Sequence, residues 1–215
     1  MAANNEIKQR VEHETERRTR LGVPVVASGV LYLLSAIIIN ATLNGAPAVG
    51  ILQGLAPALH GQANPRVSPR AAEVIYESHH GFGLIAGAIL SSIAILFLVL
   101  VLVFLFDGSL FRRPEIARAA RPLILFGGVA IVILGITNEI VLTVRRHQFA
   151  AAHDFSIHAV NAINHNTGYD VLAIVTPFCG LALVAGMIIT MLGSVRVGLL
   201  PRWMGIVGGV SAVAL

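Results

Sequence analysis

Residues 153–166 read HDFSIHAVNAINHN, with three histidines, one aspartate and three asparagines between almost purely apolar stretches. Placed on a helix, Asp154, His158, Asn161 and His165 fall within about 60° of one another, because spacings of 4, 7 and 11 residues nearly complete whole turns. His147, seven residues earlier, joins the same stripe, while Phe149, Ala152, Val160 and Ile163 take the opposite side. This is an amphipathic pattern with imidazoles concentrated on its polar face. A second group repeats the theme: Glu73, Glu77 and His80 share a face. Glu77-Ser78-His79-His80 is also a Glu-x-x-His sequence, which in di-iron helix bundles aims a carboxylate and an imidazole at a metal. Those bundles need a second such motif and two further glutamates, and this chain offers one motif.

Neutral imidazoles with carboxylates suit Zn, Fe, Mn or Cu. Glu77, His80, Asp154 and His158 are the leading metal-ligand candidates, followed by His165 and Glu73, with Asn161, Asn164 or Tyr76 to orient the imidazoles. A haem b held by two histidines is the lesser alternative. It requires His79 or His80 to face another histidine across an apolar pocket. The plainer reading stands beside both: a helix on the membrane surface needs a polar face, and His and Asn supply one.

Glu139, in ILGITNEIVLTV, is the third element. A carboxylate that deep in an apolar span is costly, so a paired or functional role is the default expectation. If ionised it needs a cation or several donors; otherwise it takes a proton. Asn138 adds a polar group about 100° away around the helix. Arg145 or Arg146 can snorkel toward Glu139; bonds to Asn40, Ser35 or a backbone carbonyl are the alternatives.

The elements that must carry these groups follow from composition. The chain has 215 residues, 56% hydrophobic and 12% charged, with mean hydropathy +0.80. Soluble domains are about one-quarter charged, so too little polar surface remains to cover a globule. The expected fold is all-α: a polytopic transmembrane helix bundle with four full spans and a fifth, incomplete one. The net charge of +4 is read as cytoplasmic anchoring of spans, not nucleic-acid binding. Cys179, the single cysteine, cannot form an intrachain disulfide. The polar N-terminus is unlike a cleavable signal peptide.

Residues 1–20 form a charged segment, either a surface helix or a tail, ahead of a single helical domain over 21–215. The spans are expected near 23–43, 81–106, 122–144 and 171–192. Ser68 and Pro69 predict a helix start, with one unbroken helix to Phe106. At roughly 57 Å this exceeds the ~30 Å apolar core, so its first part stands outside as an extension. The apolar stretch inside the connection 45–68 is too short to span and is expected on the bilayer or between helices. WMGIVGGVSAVAL begins a fifth span and stops after thirteen residues, about 20 Å of helix, so the natural chain is expected to continue past Leu215.

Basic residues set the orientation. With the N-terminus inside, the inner segments carry Lys8, Arg10, Arg17, Arg18, Arg20, Arg112, Arg113, Arg118, Arg121, Arg196 and Arg202, against Arg66, Arg70, Arg145 and Arg146 outside. Eleven against four predicts a plasma-membrane protein with its His-rich segments extracytoplasmic. Small residues supply close packing, since burial of apolar surface alone does not drive helices together in lipid. Gly83-x-x-x-Gly87-x-x-x-Ser91 and Gly205-x-x-x-Gly209 form stripes, Gly127, Gly128 and Gly135 thin the third span, and Gly180 and Gly186 the fourth. Intrachain packing is the first reading; contact with other membrane subunits or a second copy is the other. Pro177 frees a carbonyl in the fourth span, with Thr176 placed to bond back.

Gly29-Val30-Leu31-Tyr32-Leu33-Leu34 and Leu199-Leu200-Pro201-Arg202-Trp203-Met204-Gly205-Ile206-Val207 resemble a family of small multi-pass bacterial membrane proteins of unknown function. The likeness covers about a tenth of the chain. It implies a fold style with about six spans, and no activity. Three functions remain open: a structural, accessory or partner-binding membrane protein; a metal- or haem-dependent enzyme at the extracytoplasmic boundary; and a small transporter using Glu139 and a hinge at Pro177.

Overall fold

The structure is a computed structural model that describes residues 2–47, 49–50, 59–61, 67–112, 118–164, 167–204 and 207. It is all-α, with no strand among the described residues. Helix α1 runs Ala2–Leu43, α2 Ala71–His79, α3 Gly81–Arg112, α4 Ala120–Ala152, α5 Ile157–Asn164 and α6 Thr167–Arg196. Four helical stretches, Gly22–Leu43, Gly81–Arg112, Ala120–Ala152 and Asp170–Arg196, are long and apolar enough to cross a membrane. The chain is a polytopic membrane-helix protein. Its exposed Leu33, Ile37, Leu100, Phe126, Ile133 and Phe178 are side chains that lipid solvates as well as a protein core does.

Several boundaries differ from the sequence expectation. Residues 2–20 continue α1 without a break. The helix expected to run from Ser68 to Phe106 is interrupted at His80, whose φ of −109° and ψ of 15° leave the helical region. Ser68 still opens that stretch: its Oγ accepts the Arg70 N–H (3.3 Å) and its carbonyl the Ala71 N–H (3.0 Å). The third spanning helix does not stop at Val144 but reaches Ala152, because Arg145 and Arg146 find partners within the protein and need no aqueous loop. The fifth span falls almost wholly outside the described residues, as do the Gly205/Gly209 stripe and the apolar part of the connection 51–58.

The described contacts divide the chain into two compact units: residues 1–32, 93–129 and 179–215, and residues 33–92 and 130–178. In the first, close backbone approach dominates. A β-carbon on Gly127 would stand 2.6 Å from Leu183 N and 2.8 Å from Cys179 O, and one on Gly186 2.7 Å from Ile124. Leu102, Phe106 and Ile124 are fully buried there. Ser109 and Ser194, also fully buried, meet Oγ to Oγ at 3.0 Å, and Ser28 Oγ donates to Ala94 O (2.9 Å).

In the second unit, the Gly83/Gly87 stripe of α3 receives Thr42 and Ile39 of α1, and Ser35 Oγ donates to Gly87 O (2.8 Å). The stripe serves intrachain packing here. Thr176 Oγ1 bonds back to Leu172 O (2.7 Å), one turn before its neighbour Pro177, and α6 continues through that proline. A β-carbon on Gly135 of this unit, or on Gly180 of the first, would meet nothing within 4 Å among the described residues.

This contrast is measurable. Gly127→Ala, which pushes a methyl into backbone, is expected to cost about 1–3 kcal/mol. Gly135→Ala, in open space, should be neutral or gain up to about 1 kcal/mol from helix propensity. Thermal unfolding of the two variants in one mild detergent compares them.

Candidate functional site: a carboxylate–guanidinium–carboxylate bridge

The candidate site lies in the second unit, where α2, α4 and α5 share an apolar cluster of Ala71, Val74, Leu142, Phe149, Val160 and Ile163. Phe155 packs edge-on to Phe149 at 5.8 Å, and its carbonyl accepts the Ser68 N–H (2.7 Å). The stripe expected on one continuous helix is divided. Helix α4 ends before His153, whose φ of 55° lies in the left-handed region. Asp154 sits in the following turn, where its Oδ1 accepts the Ser156 N–H (3.1 Å). Ser156 then caps α5, its Oγ accepting the Ala159 N–H (3.2 Å). Phe149, Val160 and Ile163 point inward as the periodicity predicts, whereas Ala152 is exposed, beside the point where α4 ends.

Polar groups meet on the other side of this cluster. Arg146 of α4 donates from Nε to Glu77 Oε2 of α2 at 2.9 Å, and from Nη1 to Glu139 Oε1, two turns back on α4, at 2.8 Å. The three side chains are only 13–20% exposed. One guanidinium serves two carboxylates because its N–H groups lie on separate edges of a planar fork. Arg145, its neighbour, turns away and donates to Ile163 O (3.2 Å), tying α5 to α4. A cavity of about 110 Å³ adjoins the bridge, lined by Arg70, Val74, Glu77, Leu142, Arg146, Val160 and Ile163.

The electrostatics are uneven. Burial holds the Glu77 carboxyl above its ordinary 4.5; Arg146 opposes this, while Glu73 and Glu139 add to it. The Ser156 hydrogen bonds hold exposed Asp154 below its ordinary 3.8.

The metal-ligand candidates are distributed differently from the sequence expectation. Glu73 pairs with Arg70 across one turn (3.3 Å), and Glu77 is engaged by Arg146. His80, beyond the end of α2, donates from Nδ1 to Tyr76 O (2.8 Å) and stacks on the Tyr76 ring at 4.1 Å. The Glu-x-x-His pair is thereby drawn to two different partners, because the helix breaks before it can align them. His158 is exposed on α5, and His165 lies outside the described residues. Among the described residues no three His, Cys, Asp or Glu side chains come together in a way that could hold a metal ion. The cavity lining contains no histidine, as a bis-histidine haem site would require. Asn138 is half-buried outside the bridge. Asn40 and Ser35 are bonded to Ala36 O and Gly87 O, not to Glu139.

The sequence reading placed Arg146 within reach of Glu139 and missed that Glu77 joins them. The Glu139–Arg146 half follows from a spacing of seven on one helix face; the Glu77 half depends on how α2 packs against α4 and has no local signal.

No protein-family model, no curated protein and no solved structure matches the chain.

The bridge makes an asymmetric prediction. Removing Arg146 strands two carboxylates, so Arg146→Gln is expected to cost about 3 kcal/mol or more. Glu77→Gln leaves Arg146 paired with Glu139 and should cost less than about 1 kcal/mol. Thermal unfolding at neutral pH ranks the two, and equal losses would mean that the bridge is not the shared element.

Proposed function

We propose that this chain is a structural or accessory protein of the plasma membrane that acts by binding partner subunits rather than by chemistry. The observation that carries the reading is the bridge: Arg146 engages both Glu77 and Glu139, the acid that lies within a spanning helix. Glu73 and Asp154 are likewise engaged by near neighbours. Orientation belongs to the same proposal. The eleven-to-four bias of Lys and Arg supports a cytoplasmic N-terminus and extracytoplasmic His-rich segments. Kinship with small multi-pass bacterial membrane proteins, argued from Gly29–Leu34 and Leu199–Val207, is part of the proposal as a fold style alone.

The competing reading is a metal- or haem-dependent membrane enzyme, and the two part in one experiment. Protein purified in mild detergent, without chelators or a histidine tag, is examined by elemental analysis and absorption spectroscopy. The accessory reading expects no stoichiometric transition metal and no Soret band. It also expects His80→Ala/His158→Ala to shift stability by no more than about 0.5 kcal/mol, as for exposed positions generally. One or two equivalents of metal, lost in that double variant, would replace it with the enzyme reading. Substrate flux in liposomes that vanishes in Glu139→Gln would instead establish a transporter.

A further inference from the structure

Two carboxylates share one guanidinium in the Glu77–Arg146–Glu139 bridge. With all three groups charged, the sum is one negative charge, held where the side chains are at least four-fifths covered. The neighbouring charged groups do not cancel it. On α2, Arg70 and Glu73 pair with each other and are neutral together. On α4, Arg145 is turned to the Ile163 carbonyl. The α5 face against the bridge is Val160 and Ile163, and its Asp154 and His158 are exposed. A net charge held where the side chains are so well covered is relieved by a proton that the site can take up and release.

We propose that Glu77 and Glu139, held on either side of Arg146, form a binding site for one exchangeable proton that sets how firmly α2 is docked on α4. The proton comes from solvent and returns to it; one carboxyl O–H forms or breaks, and nothing else changes covalently. With the proton bound, the bridge is neutral and suits its surroundings. Without it, the two carboxylates repel across a single cation, and α2, only nine residues long, is the element that yields. The sign follows from Glu77, whose carboxyl lies above 4.5 in the folded protein. Its stabilising contribution is fully present below 4.5 and is lost as pH rises through the raised value. This inference is independent of the accessory reading, since a partner-binding subunit or a carrier would respond to the same proton.

The test is an infrared pH titration of the full chain in mild detergent, following the protonated-carboxyl C=O band and its shift in heavy water, alongside Tm at each pH. The wild-type protein is expected to show one carboxyl that titrates above the ordinary glutamate range, with Tm falling as that band disappears. Glu77→Gln should remove both the elevated band and the accompanying step in Tm. Glu139→Gln should leave the band but lower its midpoint by about one pH unit, tenfold in proton affinity, because Glu77 then has Arg146 to itself. If that variant does not fold, Glu139→Asp draws the second charge back and should move the midpoint the same way. The proposal is overturned if every wild-type carboxyl titrates in the ordinary range, if the elevated band survives in Glu77→Gln, or if altering Glu139 leaves the midpoint unmoved.

Discussion

A carboxylate in a membrane-crossing helix must be protonated, hydrogen-bonded or paired, because lipid offers it no solvation. Glu139 meets that requirement through Arg146, and the choice of cation shapes the rest of the unit. A lysine ammonium is a point charge on a flexible stem. The Arg146 fork presents Nε and Nη1 in different directions, so the group that neutralises Glu139 also reaches Glu77 on another helix. Helix α2, too short to be stable alone, is thereby anchored by charge as well as by Ala71 and Val74 in the apolar cluster. The continuation of α4 beyond Val144 has the same cause, since the residues that look like a basic loop are spent inside the protein.

The two compact units solve the same problem with different means. Where hydrophobic burial is no driving force, helices are held by what lipid cannot provide: close contact and polar bonds. In the first unit this means backbone against backbone at Gly127 and Gly186, and a hydroxyl pair between Ser109 and Ser194. Short side chains keep these bonds local and their geometry narrow. The second unit has its own close approach at Gly83 and Gly87, but adds long charged side chains. An ion pair tolerates small displacements better than a glycine contact does, and its strength depends on protonation. The covered ion pairs of this unit join different elements through Arg146, whereas in the first unit the Arg121–Asp107 contact at 4.0 Å is half-exposed.

How much of this is legible in the sequence depends on the range of the interaction. Spans follow from runs of apolar residues, which need no tertiary information, and the four long helices lie where those runs do. The Gly83/Gly87 stripe and the Thr176–Leu172 bond are also local and follow from spacing. Breaks are harder. Nothing in the pattern around Glu77 and His80 announces that His80 will leave the helix for a bond to the Tyr76 carbonyl, and a continued helix would have kept Glu73, Glu77 and His80 on one face. The left-handed turn at His153 is equally silent, because a histidine there competes with residues better suited to that conformation. Each break separates groups that helical periodicity puts together, which is why, among the described residues, the stripes drawn from spacing do not converge on one point.

The bridge shows the complementary limit. Its half on α4 is a spacing of seven and belongs to the sequence. Its other half needs α2 to be folded against α4, a contact set by Val74, Leu142, Val160 and Ile163. Those apolar residues do more than bury area. By excluding water from one side of Glu77 they raise the cost of its charge, and by fixing its distance from Arg146 they offset part of that cost. Desolvation outweighs pairing with Arg146, and the Glu77 carboxyl is held above its ordinary value. A shorter acid would miss Arg146, and a site open to water would leave Glu77 an ordinary surface glutamate. Proton affinity at this position is therefore a property of the packing around it, and any change in how α5 covers the cavity alters the bridge without touching a charged residue.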